Sequence, residues 1–407
     1  MHRTQLHRTQ LHRGAISLRE TLPRAQFLTG RDVLATSCSA DWRACRSGDL
    51  FVALTTADDD GHEHVVEAIE QGAVAVVAER LLPVEVPQIL VRDSRVALSR
   101  VCQALAGHPS RELRTIGITG SAGKTVTAML VASIFEAAGE TAGVMSSIGH
   151  SDSVVQRAPS DDTPTAAEFA AWLARMRVAD CSAAVLELSS QALADRRASG
   201  IELDAAILTN IQNEHHDHNS AAAYQKIKRR IFRLLKDGGV AIVNVDDHRC
   251  RNLLSAIDVG CLTYALHAEA DITASVLERC PSEQTFLISA GDETAPVRAR
   301  MIGDHHVLNC LAAAAVGLAS GIDLEAIVRG LEAVERVPGR MERLECGQPF
   351  SVFVDAADSP QKLALSIKTV RQVTSGRVLV VFGPQENMEA SRRALSGRVL
   401  ERGSHVA

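Results

Sequence analysis

The sequence predicts an α/β fold built on a parallel sheet, with a phosphate-type loop at one end of it. Three features predict this. Residues 118–127 read I-T-G-S-A-G-K-T-V-T: an apolar strand (115–119) enters a glycine turn and continues as an apolar-periodic helix (126–138). Residues 184–189, 205–211 and 240–245 are near-continuous apolar runs, the pattern of strands covered on both faces. Strand-length and helical segments alternate along most of the chain, as in βαβ units.

The glycine turn is suited to phosphate chemistry. Gly120 and Gly123, with Ser121 and Ala122 between them, let backbone N–H groups approach phosphate oxygens, and the following helix presents the positive end of its dipole. Lys124 can reach terminal phosphates as a mobile charge, and Thr125 can offer a hydroxyl to Mg2+. The spacing departs from G-x-x-x-x-G-K-[ST], because Gly120 lies only three residues before Gly123. The plainer alternative is a strand, turn and helix with a solvated lysine. The strand before the turn and the helix after it favour the phosphate site.

Taken in order, residues 2–13 repeat a five-residue unit, HRTQL, and are expected to be a disordered extension ahead of the fold, with a misplaced start codon as one origin. Residues 14–113 predict a small α/β domain: strands at 49–54, 73–78 and 89–91, helices at 63–71 and 96–106, and a linker at 108–110. Residues 114–345 predict the central domain. Its strands 143–147, 184–189, 205–211 and 240–245 end in polar clusters, and open parallel sheets bind ligands beyond those ends. Glu187-Leu188-Ser189-Ser190 is one cluster. Thr209-Asn210, leading to Asn213-Glu214-His215-His216-Asp217-His218, is the other. Both are expected on the sheet edge that carries Lys124, where a carboxylate, an imidazole and a hydroxyl could hold a divalent cation. The histidines alone also fit a zinc site or a polar loop without a ligand. Residues 224–232 predict an amphipathic helix with Ile227 and Ile231 on one face and Lys226, Arg229 and Arg230 on the other. By periodicity Lys228 reads as part of a solvated basic face. The length of 407 residues allows two or three domains in all.

Composition narrows the classes. A net charge of −6 and no basic stripe argue against general nucleic-acid binding, and 3% aromatics argue against a base-stacking platform. Nine scattered cysteines without a C-x-x-C pair predict buried small hydrophobes in a reducing cytoplasm, not disulfides or zinc ligands. No apolar stretch is long enough for a transmembrane helix; the alanine-rich 311–319 reads as a packed helix.

Together the segments resemble the Mur ligases, ATP-dependent amide ligases of peptidoglycan assembly, and among them the tripeptide-synthetase type. The resemblance runs from about residue 37 to 397. It rests on T-G-S-A-G-K-T, Asp162-Thr163-Pro164, E-L-S-S-Q-A-L (187–193), T-N-I-Q-N-E-H (209–215) and Pro338-Gly339-Arg340-Met341-Glu342-Arg343, with Gly48-Asp49-Leu50-Phe51 and Asp60-Gly61-His62 similar to the uridine-binding part. It implies three domains: an N-terminal UDP-binding α/β domain, a central P-loop ATPase domain with a parallel sheet, and a Rossmann-like C-terminal domain. It implies ATP, Mg2+, a UDP-MurNAc-dipeptide and an amino acid (meso-diaminopimelate or lysine) as ligands, and a monomer in the cytoplasm. Lys124, Glu187, His215 and Lys228 match catalytic positions. Thr125, Glu187 and His215 match Mg2+ ligands, and Lys228 the lysine that the family carbamylates with CO2. Asn309, Arg340 and Asp355 match nucleotide contacts. Arg43, Asp162, Thr163, Pro164 and Ser189 match the UDP-substrate site.

Departures from the family pattern include Ser121-Ala122 in the loop, Gln191 for a histidine, Trp42 within Asp41-Trp42-Arg43, His306 for an asparagine, and Gly383-Pro384-Gln385-Glu386-Asn387 after an expected strand at 378–382. The family's amino-acid-gripping motif has no counterpart before Ala407, so the last domain reads as incomplete, with exposed edges and an apolar face expected. Besides a working ligase, the residues admit a catalytically impaired paralogue that binds nucleotide only, a piece of a frameshifted gene, and a folylpolyglutamate- or cyanophycin-synthetase-like enzyme. The uridine-domain likeness argues against the last.

Overall fold

A computed structural model describes residues 14–158, 163–212, 221–384 and 388–405. The repeat at 2–13, the 213–218 cluster, Asp162 and residues 385–387 lie outside them. The chain divides into two compact units. One comprises Met1–Thr119, Thr141–Ala206 and Glu214–Gly239, the other Gly120–Glu140, Ile207–Asn213 and Val240–Ala407.

The first unit contains a five-stranded sheet in the order Gln26–Phe27, Gln88–Leu90, Ala75–Ala78, Leu50–Val52, Cys38–Ser39. All pairs but the first are parallel. Its strands read as apolar throughout because both faces are covered. Leu50, Val52, Ala75 and Val77 point into a core with Leu18, Ile89, Val101 and Leu105. Phe51, Ala53, Val76 and Ala78 point into the opposite core with Val65 and Ala68. Period-2 alternation thus sorts one run between two apolar layers. The same unit holds the order Gln156–Arg157, Gly149–Ser151, Ala142–Ser146, Ala183–Glu187, Arg114–Thr119, with Ala142–Ser146, Ala183–Glu187 and Arg114–Thr119 parallel. Helix Ala166–Val178 begins with a complete capping box, Thr165 and Glu168 each bonding the other's backbone. Its Ala166, Ala170 and Ala174 join the first core.

The 108–110 stretch is not an open tether: Pro109 and Ser110 are buried, and the Ser110 hydroxyl accepts the Glu202 N–H at 3.2 Å. Helix Ala221–Lys228 continues as the 3-10 turn Arg229–Leu234. Ile227 and Ile231 are buried as predicted.

The second unit carries helix Lys124–Ala137 and the order Leu235–Asn244, Gly260–Ala265, Ile272–Arg279, Gln284–Ala290, Glu293–Ala299; its share of the first of these strands begins at Val240. The last three strands are antiparallel, so the sheet is not parallel throughout. One face of this meander is wet, and the inward set Gln284, Phe286 and Ile288 is too short an alternation to stand out in the sequence. Helix Asp304–Ala319 contains the alanine-rich run, whose residues Leu311–Val316 are buried.

Among the described residues the expected strand at 378–382 is reduced to a single bridge residue, Leu379. Val378 is tied to His405, donating its N–H to Nδ1 at 2.9 Å and accepting the His405 N–H at 2.8 Å. Leu379 and Val381 stand exposed, as do Phe350 and Val354. An apolar run becomes a strand only where a neighbouring backbone pairs with it. The cysteine expectation also needs correcting. All nine are free thiols, but only Cys38, Cys45, Cys102, Cys181, Cys250 and Cys310 are buried; Cys261 and Cys346 are exposed and Cys280 partly so.

Helix Leu324–Ala333 packs on helix Lys124–Ala137 at a glycine. A Cβ on Gly330 would lie 2.5 Å from the Ile134 Cα and 2.8 Å from two further backbone atoms. Gly330→Ala gains about 1 kcal/mol of helix propensity. It must also separate two helix backbones, which costs about 1–3 kcal/mol or more. A net loss of stability is expected in urea unfolding; a gain would show that the two helices are not in close contact.

Candidate functional site

The second unit supplies the glycine loop. Strand Arg114–Thr119 ends in the first unit and the turn begins at Gly120. Both glycines are required by space as well as by conformation. At Gly120 a Cβ would lie 1.8 Å from the Thr209 Oγ1. At Gly123 (φ +84°) it would lie 2.4 Å from the Asn309 Oδ1. The residues that crowd the loop also hold it. The Asn210 Oδ1 accepts the Ala122 N–H at 2.9 Å, and its Nδ2 donates to the Ala122 carbonyl at 3.1 Å. The Thr209 hydroxyl donates to the same carbonyl at 2.7 Å. The Ser121 N–H reaches the Asn210 carbonyl at 3.1 Å, and the Ser121 hydroxyl accepts the Gln212 N–H at 2.9 Å. Behind them, the Asn244 Nδ2 donates to the Thr209 carbonyl at 2.9 Å, and Asp247 accepts the Ile211 N–H at 2.9 Å.

Helix Lys124–Ala137 starts from Gly123, which has no side chain to cap the first turn. The positive end of the helix dipole therefore lies at the loop. The Lys124 Nζ donates to the Gly120 carbonyl at 3.1 Å, folded over its own loop, and Thr125 is buried. Asn309 is buried on helix Asp304–Ala319, where its Oδ1 meets the Thr127 hydroxyl at 3.4 Å.

One turn earlier on that helix, His306 is buried and lies against His305, the two rings tilted at 42° with centroids 4.2 Å apart. Neither His306 ring nitrogen has a hydrogen-bond partner among the described residues. Burial, reinforced by His305, holds the His306 imidazole well below its usual range, and burial holds His305 down at about 4 against the pull of Asp355 and Asp304. The segments that carry Arg340 and Asp355 are joined by backbone: the Asp355 Oδ1 accepts the Met341 N–H at 3.2 Å, Ser366 donates its hydroxyl to the other oxygen, and the Ala356 N–H bonds the Gly339 carbonyl at 2.8 Å.

The first unit supplies the other residues. Glu187 closes strand Ala183–Glu187, and its Oε2 accepts the Ser147 N–H at 3.0 Å. Lys228, the last residue of its helix, is only 1% exposed. Its Nζ donates to the Thr119 hydroxyl at 3.2 Å and lies 5.2 Å from the centre of the Tyr224 ring. That hydroxyl passes its own hydrogen to the Leu188 carbonyl at 2.8 Å. The solvated-face reading of Lys228 is therefore wrong. The position next to Ile227 turns it inward, while Lys226 and Arg229 stay exposed and Arg230 is half-buried.

Thr163 and Ser189 stand together, their hydroxyls 3.4 Å apart, and Ser189 also caps helix Ser190–Ala194. Pro164 separates Thr163 from the cap residue Thr165. Arg197, which the sequence reading passed over, ties this corner down. Its guanidinium donates to the Thr163 carbonyl at 2.6 Å and to Asp195 at 2.9 Å, and Gln191 bonds the same Asp195 oxygen at 2.8 Å. The Asp195-Arg196-Arg197 run after E-L-S-S-Q was the available signal.

In the N-terminal part, Asp41 caps the turn Trp42–Ala44, and Arg43 lies exposed over the Trp42 ring at 4.4 Å. His62 is buried with its Nδ1 2.6 Å from Asp60, and its Nε2 accepts the Glu79 N–H at 3.0 Å. The proton must then sit on Nδ1. Burial pushes the Asp60 carboxyl up, but His62, Arg80 and Thr55 together hold it well below the usual range.

Comparison with known proteins extends this picture. Residues 118–317 match the family model of the Mur ligase middle domain, and residues 339–407 that of the Mur ligase glutamate ligase domain. A UDP-N-acetylmuramyl-tripeptide synthetase of Roseiflexus sp. (strain RS-1) is 38% identical over 384 residues, covering 89% of this chain and 75% of that protein. The chain belongs to the Mur ligase family. A UDP-N-acetylmuramoyl-L-alanyl-D-glutamate–2,6-diaminopimelate ligase of Syntrophomonas wolfei subsp. wolfei is 33% identical over 364 residues, 88% of this chain and 74% of that protein. The solved structure of another ligase of that name superposes with a TM-score of 0.77 at 25% identity, over 96% of this chain and 82% of its own. In this Mur ligase no helix among the described residues is long and apolar enough to cross a membrane.

The lock on Ala122 can be tested directly. Asn210→Ala removes two hydrogen bonds and is expected to destabilise the chain by about 1–3 kcal/mol. It should also speed amide hydrogen exchange at Ala122. Unchanged exchange there would mean that Thr209 alone fixes the loop.

Proposed function

We propose that this Mur ligase is an ATP-dependent amide ligase of peptidoglycan-precursor synthesis, adding an amino acid to UDP-MurNAc-L-Ala-D-Glu. The observation that carries this is the 38% identity to a tripeptide synthetase across 89% of the chain. The names of its relatives favour 2,6-diaminopimelate over lysine as the amino acid. The reading divides the chain into a UDP-substrate domain at 14–113, an ATP-binding domain at 114–345 and a ligase domain at 346–407, acting as a monomer in the cytoplasm, where ATP is supplied.

A substrate carboxylate oxygen attacks the γ-phosphorus of ATP. The bond from phosphorus to the β-bridging oxygen breaks, and ADP leaves with that electron pair. The amine of the incoming amino acid then adds to the acyl phosphate carbonyl, loses a proton to solvent, and expels inorganic phosphate. Negative charge builds on the transferring group, so fixed N–H groups and cations nearby lower the barrier. Lys124, with the Gly123 amide and the start of its helix, takes that role, while the Ser121 and Ala122 N–H groups are held by Asn210. Asn309, Arg340 and Asp355 hold the nucleotide. Arg43, Asp162, Thr163, Pro164 and Ser189 hold the UDP-substrate, with Arg197 fixing Thr163. Thr125, Glu187 and His215 offer oxygen and imidazole donors, a set suited to a hard divalent cation. Mg2+ bound there supplies positive charge to the phosphate oxygens.

Lys228 supports a further step of this reading. It is buried, which keeps water from the amine, and the neutral form of an amine is the one that reacts with CO2. The product is a carbamate anion and a released proton, which turns a cationic side chain into another oxygen donor for the cation. The glycine loop and the buried lysine favour this reading over the nucleotide-binding-only alternative.

The test is phosphate release from ATP with UDP-MurNAc-dipeptide, Mg2+ and bicarbonate, with and without meso-diaminopimelate or lysine. Release that depends on one of the two amines is expected; none with either would favour the nucleotide-binding-only alternative. Lys124→Ala should lower release by about a hundredfold or more. Lys228→Ala should be inactive and partly restored by acetate; full activity in that variant would remove the carbamate.

A further inference from the structure

Outside the residues assigned above, the first unit contains a cavity of about 380 Å3 lined by five arginines, Arg24, Arg100, Arg196, Arg230 and Arg233. They come from separate places in the chain. Arg24 follows the short helix Leu18–Thr21, Arg100 lies on helix Ser94–Leu105, Arg196 follows helix Ser190–Ala194, and Arg230 and Arg233 lie on the turn Arg229–Leu234. The walls between them are apolar, including Val96, Leu193 and Leu234. The sequence shows only a basic run near residue 230, which reads as a solvated helix face. A concavity lined from four segments is a different object.

Neutralisation is sparse. Asp93 approaches Arg196 at 3.7 Å. Among the described residues Arg24, Arg100 and Arg233 form no ion pair. Arg230 is anchored by donating one nitrogen to the Leu193 and Ala194 carbonyls, at 3.1 and 3.0 Å. Its pKa is lowered, by burial first and then by the nearby charges of Arg196 and Arg233. Guanidinium groups stay charged in proteins, so such a cluster repels itself until an anion enters. This concentration occurs in a chain whose net charge is −6, so it does not follow from a generally basic composition.

We propose that this arginine-lined cavity is a binding site for a diphosphate group, separate from the glycine loop. Forked guanidinium groups on several sides match an anion with oxygens on several sides, and a single carboxylate would answer only one of them. The volume lies at the lower end of small-ligand pockets, about 300–1,000 Å3, which suits a diphosphate better than a whole nucleotide. Arg230 lies two residues beyond Lys228, so an anion held here braces the segment that carries that lysine. The cavity also opens beside a larger one of about 850 Å3, with which it shares Arg100, Ser199, Arg233 and Leu234, leaving room for whatever the diphosphate is attached to.

The experiment is calorimetric titration of pyrophosphate into three chains: the unsubstituted protein, Lys124→Ala, and the double variant Arg100→Gln with Arg233→Gln. A site that survives Lys124→Ala is expected, and the double variant should weaken it by about tenfold or more. Arg24→Gln changes an exposed residue in a different segment and should weaken the same site, with an unchanged melting temperature. Titration of UDP-N-acetylglucosamine distinguishes the sources. Competition with pyrophosphate identifies a site for diphosphate esters, and lack of competition identifies one for the free anion. The proposal is overturned if Lys124→Ala binds no pyrophosphate, or if the arginine variants bind it as tightly as the unsubstituted chain.

Discussion

The glycine loop keeps its shape because one side-chain amide grips one backbone amide. Asn210 accepts the Ala122 N–H and donates to the Ala122 carbonyl, as an adjacent strand would. Two glycines make this possible, since a Cβ at Gly120 or Gly123 would occupy the space of Thr209 or Asn309. A loop fixed this way has already lost the backbone freedom that a ligand would otherwise have to remove. The grip is itself gripped: Asn244 holds the Thr209 carbonyl, and Asp247 holds the next amide along. Loop shape therefore depends on polar groups at the ends of two strands, which only the fold brings within reach.

The first unit solves a harder problem at Lys228. An enclosed amine needs a polar partner, because an unsatisfied buried donor costs about 1–3 kcal/mol or more. The Thr119 hydroxyl accepts from it and passes its own hydrogen to the Leu188 carbonyl, so a chain of hydrogen bonds drains into backbone. The Tyr224 ring covers another side. The lysine is thereby shielded from water and held in one place, both of which suit a group whose reactivity depends on losing a proton.

Much of this was legible in the sequence, and the exceptions have physical causes. Strands such as Ala75–Ala78 and Ala183–Glu187 announce themselves because both faces are apolar, and Ile118 to Thr125 because a strand, two glycines and a helix start follow in order. Lys228 was not legible from periodicity, since a single helical step decides whether a residue beside Ile227 faces in or out. The resemblance to Mur ligases located it where pattern could not. Residues 378–382 failed in the opposite way: V-L-V-V-F satisfies every local rule for a strand, yet Val378 bonds to His405 and Val381 is fully exposed. Pairing is a property of the neighbour, and no local pattern contains it. The five-arginine cavity was invisible for the same reason, being assembled from distant segments, and Arg197 left only the Asp195-Arg196-Arg197 run as its signal.

Recognisable motifs also mix scaffold with site, and the burial of their side chains separates the two. In Gly48-Asp49-Leu50-Phe51 the aspartate is fully buried, bonded to the Ser37 hydroxyl and to the Arg46 N–H at 2.9 Å, so its oxygens serve the turn. In Asp60-Gly61-His62 the imidazole joins Asp60 to the Glu79 backbone, and both its nitrogens are engaged. Such residues are constrained by folding and have little left for a ligand. His306 is the converse case. It is as buried as they are, yet neither nitrogen has a partner among the described residues, and a neutral imidazole can donate from one and accept at the other. Unsatisfied capacity in a buried ring costs free energy in the folded chain alone. It is therefore at His306, not at the better satisfied motif residues, that the fold bears a cost unexplained by stability.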